Sequence, residues 1–439
     1  MSKPYAAKDP ATRSGTAHLV AVPRLWLLLL TFLSVAPWLV FAVYVASQAA
    51  VASVPAEQQP AAAVAGPNGP WGKLEIVPIT ISPPLEYVPR AWGPIQPSAW
   101  TFRAATSRQV ATFLESAGMP AADAERLVAT ARPTPEVGGV TVVPDDALVR
   151  GLPPDVRARI YLRLGEDSAG YINSPTPINF DQVTAYRYRA DSVDDWLGVG
   201  FISPATRALV EPYVYRYDGF LYFADIERVR GQIADPEDLQ RLAKRLLRQE
   251  TMLVRVRVED PAQVDAVTEY WGRGGRRTDI RPILESIARR STPASDPSAW
   301  IDMSHLLPLL PRQLLYRYPK VTAEDLQRPL LANCLWTALN FFGDEPDPRY
   351  LDVAFALSHL KSDYFLVNDN YQLGDIVAFA DSEGNLVHVA VHLAGDLVFS
   401  KNGTTSLAPW SIMPLSQLNG HYSEYSSSWR VSYHRRNDL

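Results

Sequence analysis

The chain has 439 residues, 47% of them hydrophobic, and its 42 Lys and Arg against 47 Asp and Glu give a formal net charge of -5. Those values support packed globular structure and exclude a nucleic-acid partner on electrostatic grounds. A single cysteine, Cys334, excludes an internal disulfide, so its thiol is structural, intermolecular or reactive.

Residues 1–24 form a cationic N-terminal segment in which Lys3, Lys8, Arg13 and Arg24 outnumber Asp9. Leu25 to Ala46 is an uncharged apolar run; at about 1.5 Å per residue it spans roughly 33 Å, enough to cross a bilayer core of about 30 Å. The positive-inside rule leaves residues 1–24 in the cytoplasm and sends the rest of the chain outward. This reading predicts a transmembrane signal anchor at 25–46 and a single-pass inner-membrane protein facing the periplasmic or extracellular side, with the membrane as one partner. The competing reading is a cleavable signal peptide ending in Ala46-Ser47-Gln48-Ala49-Ala50, but a 22-residue apolar core is long for one. Residues 47–99, rich in Ala and Pro, read as a linker.

Residues 100–299 carry the pattern of a mixed α/β domain. Ser107 to Ala131 predicts two short helices around Gly118-Met119-Pro120. Tyr213 to Tyr217 and Phe220 to Phe223 flank Asp218-Gly219, a strong hairpin signal, with the tyrosines at 213, 215 and 217 on one face for cross-strand packing. Asp235-Pro236 opens a helix, Met252 to Val258 alternates as a strand, and Asp260-Pro261 opens another helix before Gly272. Nothing in this region carries recognisable chemistry.

Residues 300–439 do. Asn333 caps and Gly343 stops a helix of about ten residues with Cys334 in its first turn. There the unpaired N–H groups and the helix dipole favour thiolate over thiol, by only about 1 kcal/mol, so a base is still required. Gln372 to Phe379 reads as a strand and Asp381 to Asn385 as a turn. In Val387 to Leu393 the valines and leucine alternate with His388, Ala390 and His392, which puts both histidines on one face. His392 therefore competes with His388 for the role of base. A three-residue turn, Ala394-Gly395-Asp396, leads into a strand from Leu397 and sets position 388 opposite position 402. A two-residue turn shifts that register by one and moves Asn402 to the other face.

The constellation is a thiol, Cys334, an imidazole to take its proton, His388, and an amide to orient the ring, Asn402. Asn333 serves as the helix cap, or joins the Cys334 N–H in an oxyanion site. Asn-Cys-Leu-Trp at 333–336, Gly-Asp-Ile-Val-Ala-Phe at 374–379, His-Val-Ala-Val at 388–391 and Ser-Lys-Asn-Gly at 400–403 resemble the NlpC-type papain-like cysteine peptidases and the related CHAP amidohydrolases. The resemblance covers about a third of the chain. The chain departs from the NlpC pattern in having Asn-Cys-Leu-Trp where those enzymes carry Asp-Cys-Ser-Gly. Their third residue is commonly a histidine a dozen positions past the first, which here is Ser400, with Asn402 two further on.

The fold class that follows is α+β: a single N-terminal transmembrane helix, a mixed α/β middle domain, and a papain-like C-terminal domain in which the Cys-bearing helix packs on an antiparallel sheet. The resemblance implies an outward-facing cysteine hydrolase, an endopeptidase or amidase acting on cell-wall peptide amide bonds, with peptidoglycan or another wall polymer as partner. Two alternatives stay open: a catalytically silent wall-binding or scaffold protein with a papain-like fold, and an acyltransferase. No Cys pair, His-Glu-x-x-His string or phosphate-binding glycine loop occurs, so no metal or cofactor is expected.

Overall fold

The structure, a computed structural model, describes residues 62–88, 92, 95, 98–135, 138–168, 186–188, 190–291, 297–320, 332–382, 384–404, 406–423 and 430–439. The chain divides into two units, Met1–Gln59 and Pro60–Leu439, and every described residue belongs to the second.

Residues 64–81, which composition alone assigns to a linker, form an antiparallel hairpin of β1 (Val64–Gly69) and β2 (Gly72–Ile81). The pairing partner that makes β2 a strand is remote in sequence. It lies along β9, described below, from Lys73↔Arg257 to Ile81↔Gln249.

Between these partners sits the first hydrophobic core. The strands β3 (Trp100–Phe102), β4 (Arg132–Thr134) and β5 (Gly139–Val142) make one small sheet, and β6 (Tyr186–Tyr188), β7 (Tyr215–Tyr217) and β8 (Phe220–Phe223) another. Asp218 and Gly219, both at positive φ, turn β7 into β8, and Tyr215 stacks on Tyr222 across the pair with ring centres 5.5 Å apart. The helices here are α1 (Ser107–Ser116), α2 (Ala121–Val128), α3 (Asp146–Gly151), α4 (Pro154–Ser168), α5 (Val193–Leu197), α6 (Pro204–Val210), α7 (Ile226–Val229) and α8 (Pro236–Leu246). Thr106 closes a reciprocal capping box with Gln109 on α1, and Asp235 caps α8. Together they bury Trp100, Trp196 and Phe223 completely, in a core that runs from Val88 to Leu247 and takes in Leu407.

The second core begins at β9 (Gln249–Arg257), which pairs with β2 on one side and β10 (Ile301–Asp302) on the other. It continues through α9 (Val264–Trp271), α10 (Arg277–Arg290), α11 (Leu309–Leu314), α12 (Cys334–Leu339) and α13 (Val353–Asp363). A six-stranded antiparallel sheet follows, built from β11 (Tyr364–Val367), β12 (Ile376–Ala380), β13 (Leu386–Ala394), β14 (Leu397–Lys401), β15 (Trp410–Pro414) and β16 (Arg430–Arg436) in the order β11-β16-β12-β13-β14-β15. Thr251 of β9 fastens the two sheets: its hydroxyl donates to the carbonyl of Ile412 at 2.9 Å and accepts from the same residue's N–H at 3.1 Å.

Alternation gives the six-stranded sheet two different faces. Ile376, Ala378, Val389, Val391, Phe399 and Ile412 point into the core shared with α12, whereas Val377, Phe379, Ala390, Val398 and Met413 form a separate cluster with Leu418 of α14 (Leu415–Ser423).

The α+β description led by a transmembrane helix is corrected. The described chain is mixed α/β, and among the described residues no helix is long and apolar enough to cross a membrane. The longest described helix, α4, has 15 residues and carries Asp155, Arg157, Arg159 and Arg163, far short of the roughly 20 apolar residues that a bilayer core demands. Residues 1–24 and the span at 25–46 lie outside the described residues.

Candidate active site

The first turn of α12 forms as its sequence dictates. Asn333 has an extended backbone and its Oδ1 accepts from the Trp336 N–H at 2.9 Å, which makes it the helix cap. The helix is shorter than the apolar pattern predicts, ending at Leu339. Asn340 stops it: its side-chain amide donates to the Trp336 carbonyl at 3.0 Å and its Oδ1 accepts from the Asp347 N–H at 2.7 Å. The chain then turns so that Phe342 lies over Gly374, where φ is +90° and a Cβ would meet the Phe342 ring at 2.1 Å. Glycine is thus required at 374 on two counts. Asp375 beside it accepts from the Gln372 N–H at 2.8 Å and from both forks of Arg435 at 2.8 and 2.7 Å.

Cys334 packs in the second core and is 5% exposed. Its sulfur meets backbone N–H groups of Val389, Leu335 and Cys334 itself. The Val389 N–H belongs to the peptide that joins His388 to Val389, so the thiol rests against the backbone of the histidine-bearing strand. The thiol is not lowered in pKa as a helix terminus alone predicts. Burial pushes it up to about 11, against the smaller opposing pull of those N–H groups and of the Lys401 ammonium. Six residues of helix supply little field, and desolvation wins.

The turn between β13 and β14 has two residues, Gly395 and Asp396, with Ala394 opposite Leu397. A bulge at Leu393 then restores the register of a three-residue turn, pairing His392 with Val398 and Val391 with Phe399. His388 therefore stands on the face of Phe379, Val398 and Ser400 and is 1% exposed. Its Nε2 lies 2.9 Å from Ser400 Oγ, and that hydroxyl donates to Asn402 Oδ1 at 2.7 Å. A hydroxyl has one proton, so Ser400 accepts from an Nε2–H, which leaves Nδ1 as the basic nitrogen of the ring. Asn402 sits one residue beyond β14 and reaches His388 only through Ser400; its own amide faces Met413 Sδ at 3.5 Å.

Four residues along the same face, His392 is in a different setting. It is 3% exposed, its Nε2 meets no hydrogen-bonding partner, and the rings of Tyr371 and Tyr433 stand edge-on at 6.2 and 6.0 Å. Burial drives its pKa down to about 4. Among the described residues no three His, Cys, Asp or Glu side chains converge to hold a metal ion.

Sequence reasoning named Cys334, His388, Asn402 and Asn333. The structure brings the thiol to the His388–Val389 peptide but sets the His388 ring on the other face of the sheet, with Phe379, Val398 and Ser400, so thiol and imidazole are not brought together; it joins His388 to Asn402 through Ser400 and occupies Asn333 Oδ1 as a cap. Ser400 was marked by its spacing from His388; Lys401, buried on the thiol's side of the sheet, had no signal beyond strand alternation. Comparison with known proteins finds no family model that matches the chain, no similar curated protein and no similar solved structure. The likeness to NlpC-type and CHAP enzymes rests on the quoted motifs alone.

Proposed function

We propose that the region around Cys334 is a cysteine hydrolase site of papain-like logic, acting on amide bonds, with cell-wall stem peptides as the substrate class the motif resemblance indicates. One observation supports the reading: the hydrogen-bonded row His388, Ser400 and Asn402, with Nε2 committed to Ser400, sits on the strand whose backbone touches the only thiol, although the ring itself stands on the opposite sheet face. Cys334 Sγ attacks the carbonyl carbon, and its proton passes to His388 Nδ1 once the ring is brought from the Ser400 face of the sheet to the face that packs on α12, a rearrangement this mechanism requires. The tetrahedral intermediate collapses with that proton delivered to the leaving amine, and a water activated by the same ring then cleaves the thioester. Backbone N–H groups at the start of α12 face the developing oxyanion.

The test is hydrolysis of purified muropeptides by the full chain, with products identified by mass spectrometry. Cys334→Ser should abolish cleavage while the circular dichroism spectrum stays unchanged; undiminished cleavage by that variant rejects the assignment. Transfer of the acyl group to an added amine instead of water identifies an acyltransferase at the same site.

A second reading, a silent papain-like scaffold that binds wall polymer, is favoured by the burial of the thiol and its rise to about 11. An inert wild-type chain that sediments with insoluble peptidoglycan as well as Cys334→Ser does selects it.

A further inference from the structure

Helix α10 packs Ile280, Leu284 and Ala288 into the second core, and the adjoining stripe of Ile283, Ser286, Ile287 and Arg290 borders a groove. The other wall is the chain at Trp300 and Ile301, where β10 begins. The groove has a volume of about 450 Å³ and a mostly apolar lining, within the range of small-molecule sites. Since about 150 Å³ is enough to hold benzene, there is room for two fused rings with a polar group attached.

The charge around this groove is of one sign. Arg290 is the only ionised side chain in the lining; it is exposed and makes no ion pair among the described residues. Arg255 and Arg257 of β9 each hold the guanidinium carbon 5.8 Å from the centre of the Trp300 ring. Glu75 pairs with Arg255, whereas Arg257 donates to the Ser291 carbonyl at 2.6 Å. The carboxylates nearest along the chain are engaged elsewhere: Glu285 accepts from Arg281 Nε at 2.9 Å, and Asp302 from the Ser304 N–H at 2.8 Å. The Trp300 indole N–H and the Ser286 hydroxyl have no hydrogen-bond partner among the described residues, which leaves two further donors open in the same lining. We infer that this groove binds a small amphipathic anion, an aromatic carboxylate or sulfonate whose rings lie against Trp300 and the three isoleucines while its charge meets Arg290. None of these residues takes part in the proposed hydrolysis.

The probe is 2-naphthoate, with 2-naphthamide as its uncharged counterpart, titrated calorimetrically into the full chain. One 2-naphthoate should bind per chain with a Kd below about 1 mM, and the amide about fivefold more weakly. Arg290→Gln should weaken the carboxylate about fivefold and erase its advantage over the amide, while Arg290→Lys keeps most of it. Ser286→Trp, which fills the groove, should abolish binding of both compounds. If that variant melts early, 13C labelling of isoleucine methyls in the wild type locates the ligand instead: nuclear Overhauser contacts from the naphthalene protons should reach Ile283 and Ile301. Absence of binding at millimolar 2-naphthoate overturns the proposal, as does undiminished binding to a folded Ser286→Trp chain or contact with other isoleucines only. Equal affinities for acid and amide mark a plain apolar groove and overturn it too.

Discussion

The two ends of β13 present the same residue in two environments. At one end His388 finds Ser400 and, through it, Asn402. At the other His392 is buried to nearly the same degree, on the same face, but among tyrosine rings with Nε2 unmet, and its pKa falls to about 4. Both satisfy the pattern of a strand histidine on a small-residue face. What separates them is the hydrogen-bond partner that fixes a tautomer, because burial alone makes a poor base that stays neutral and has no preferred orientation.

Several substitutions set the two ends against each other. The largest contrast is in turnover: His388→Ala should lower muropeptide hydrolysis by about 10² to 10⁴, whereas His392→Phe should leave it within about threefold, and equal losses would erase the distinction drawn here. The next is in stability against pH. The folded pKa of His392 lies below its ordinary value of 6.5, so the unfolded chain takes up a proton first and stability is lost as pH falls from 6.5 to about 4. That gap corresponds to about 3 kcal/mol. Urea titrations at pH 7, 5.5 and 4 should show this slope in the wild type and a shallower one in His392→Phe.

A smaller effect sharpens the His388 end. Ser400→Ala removes the acceptor that orients the ring and should cost about ten- to a hundredfold in turnover, consistent with about 1.5 to 3 kcal/mol for a bond that becomes charge-assisted when the ring is protonated. Asn402→Ala, acting through a neutral hydroxyl, should cost less than about tenfold. A reversed order would mean that Asn402 contacts the ring directly in the working enzyme.

Much of this was legible in the residues. Alternation in Val387 to Leu393 fixes which side chains share a face, and Asn333 announces the start of α12. The part that was not legible depends on partners distant in sequence or on side-chain detail. β2 is a strand because β9, some 170 residues later, pairs along it, and its Pro78 disguises the pattern. α12 ends early where the Asn340 side chain folds back onto the Trp336 carbonyl and accepts the Asp347 N–H, so that the chain turns away after Leu339. Asn402 was assigned to His388 by direct opposition, but the contact runs diagonally to Ser400, as neighbours two positions apart across a pair can do. The rise of the thiol pKa reflects burial that no local motif encodes.

The pair of hydrogen bonds between Thr251 and Ile412 has a practical consequence. A fragment beginning at residue 300 would leave behind this hydroxyl together with Leu74, Val254, Val256 and Trp271, stripping apolar cover and two hydrogen bonds from the rim of the six-stranded sheet. Anyone wishing to express the thiol-bearing portion alone should carry the polypeptide back to at least β9, and preferably supply the β1–β2 hairpin as well.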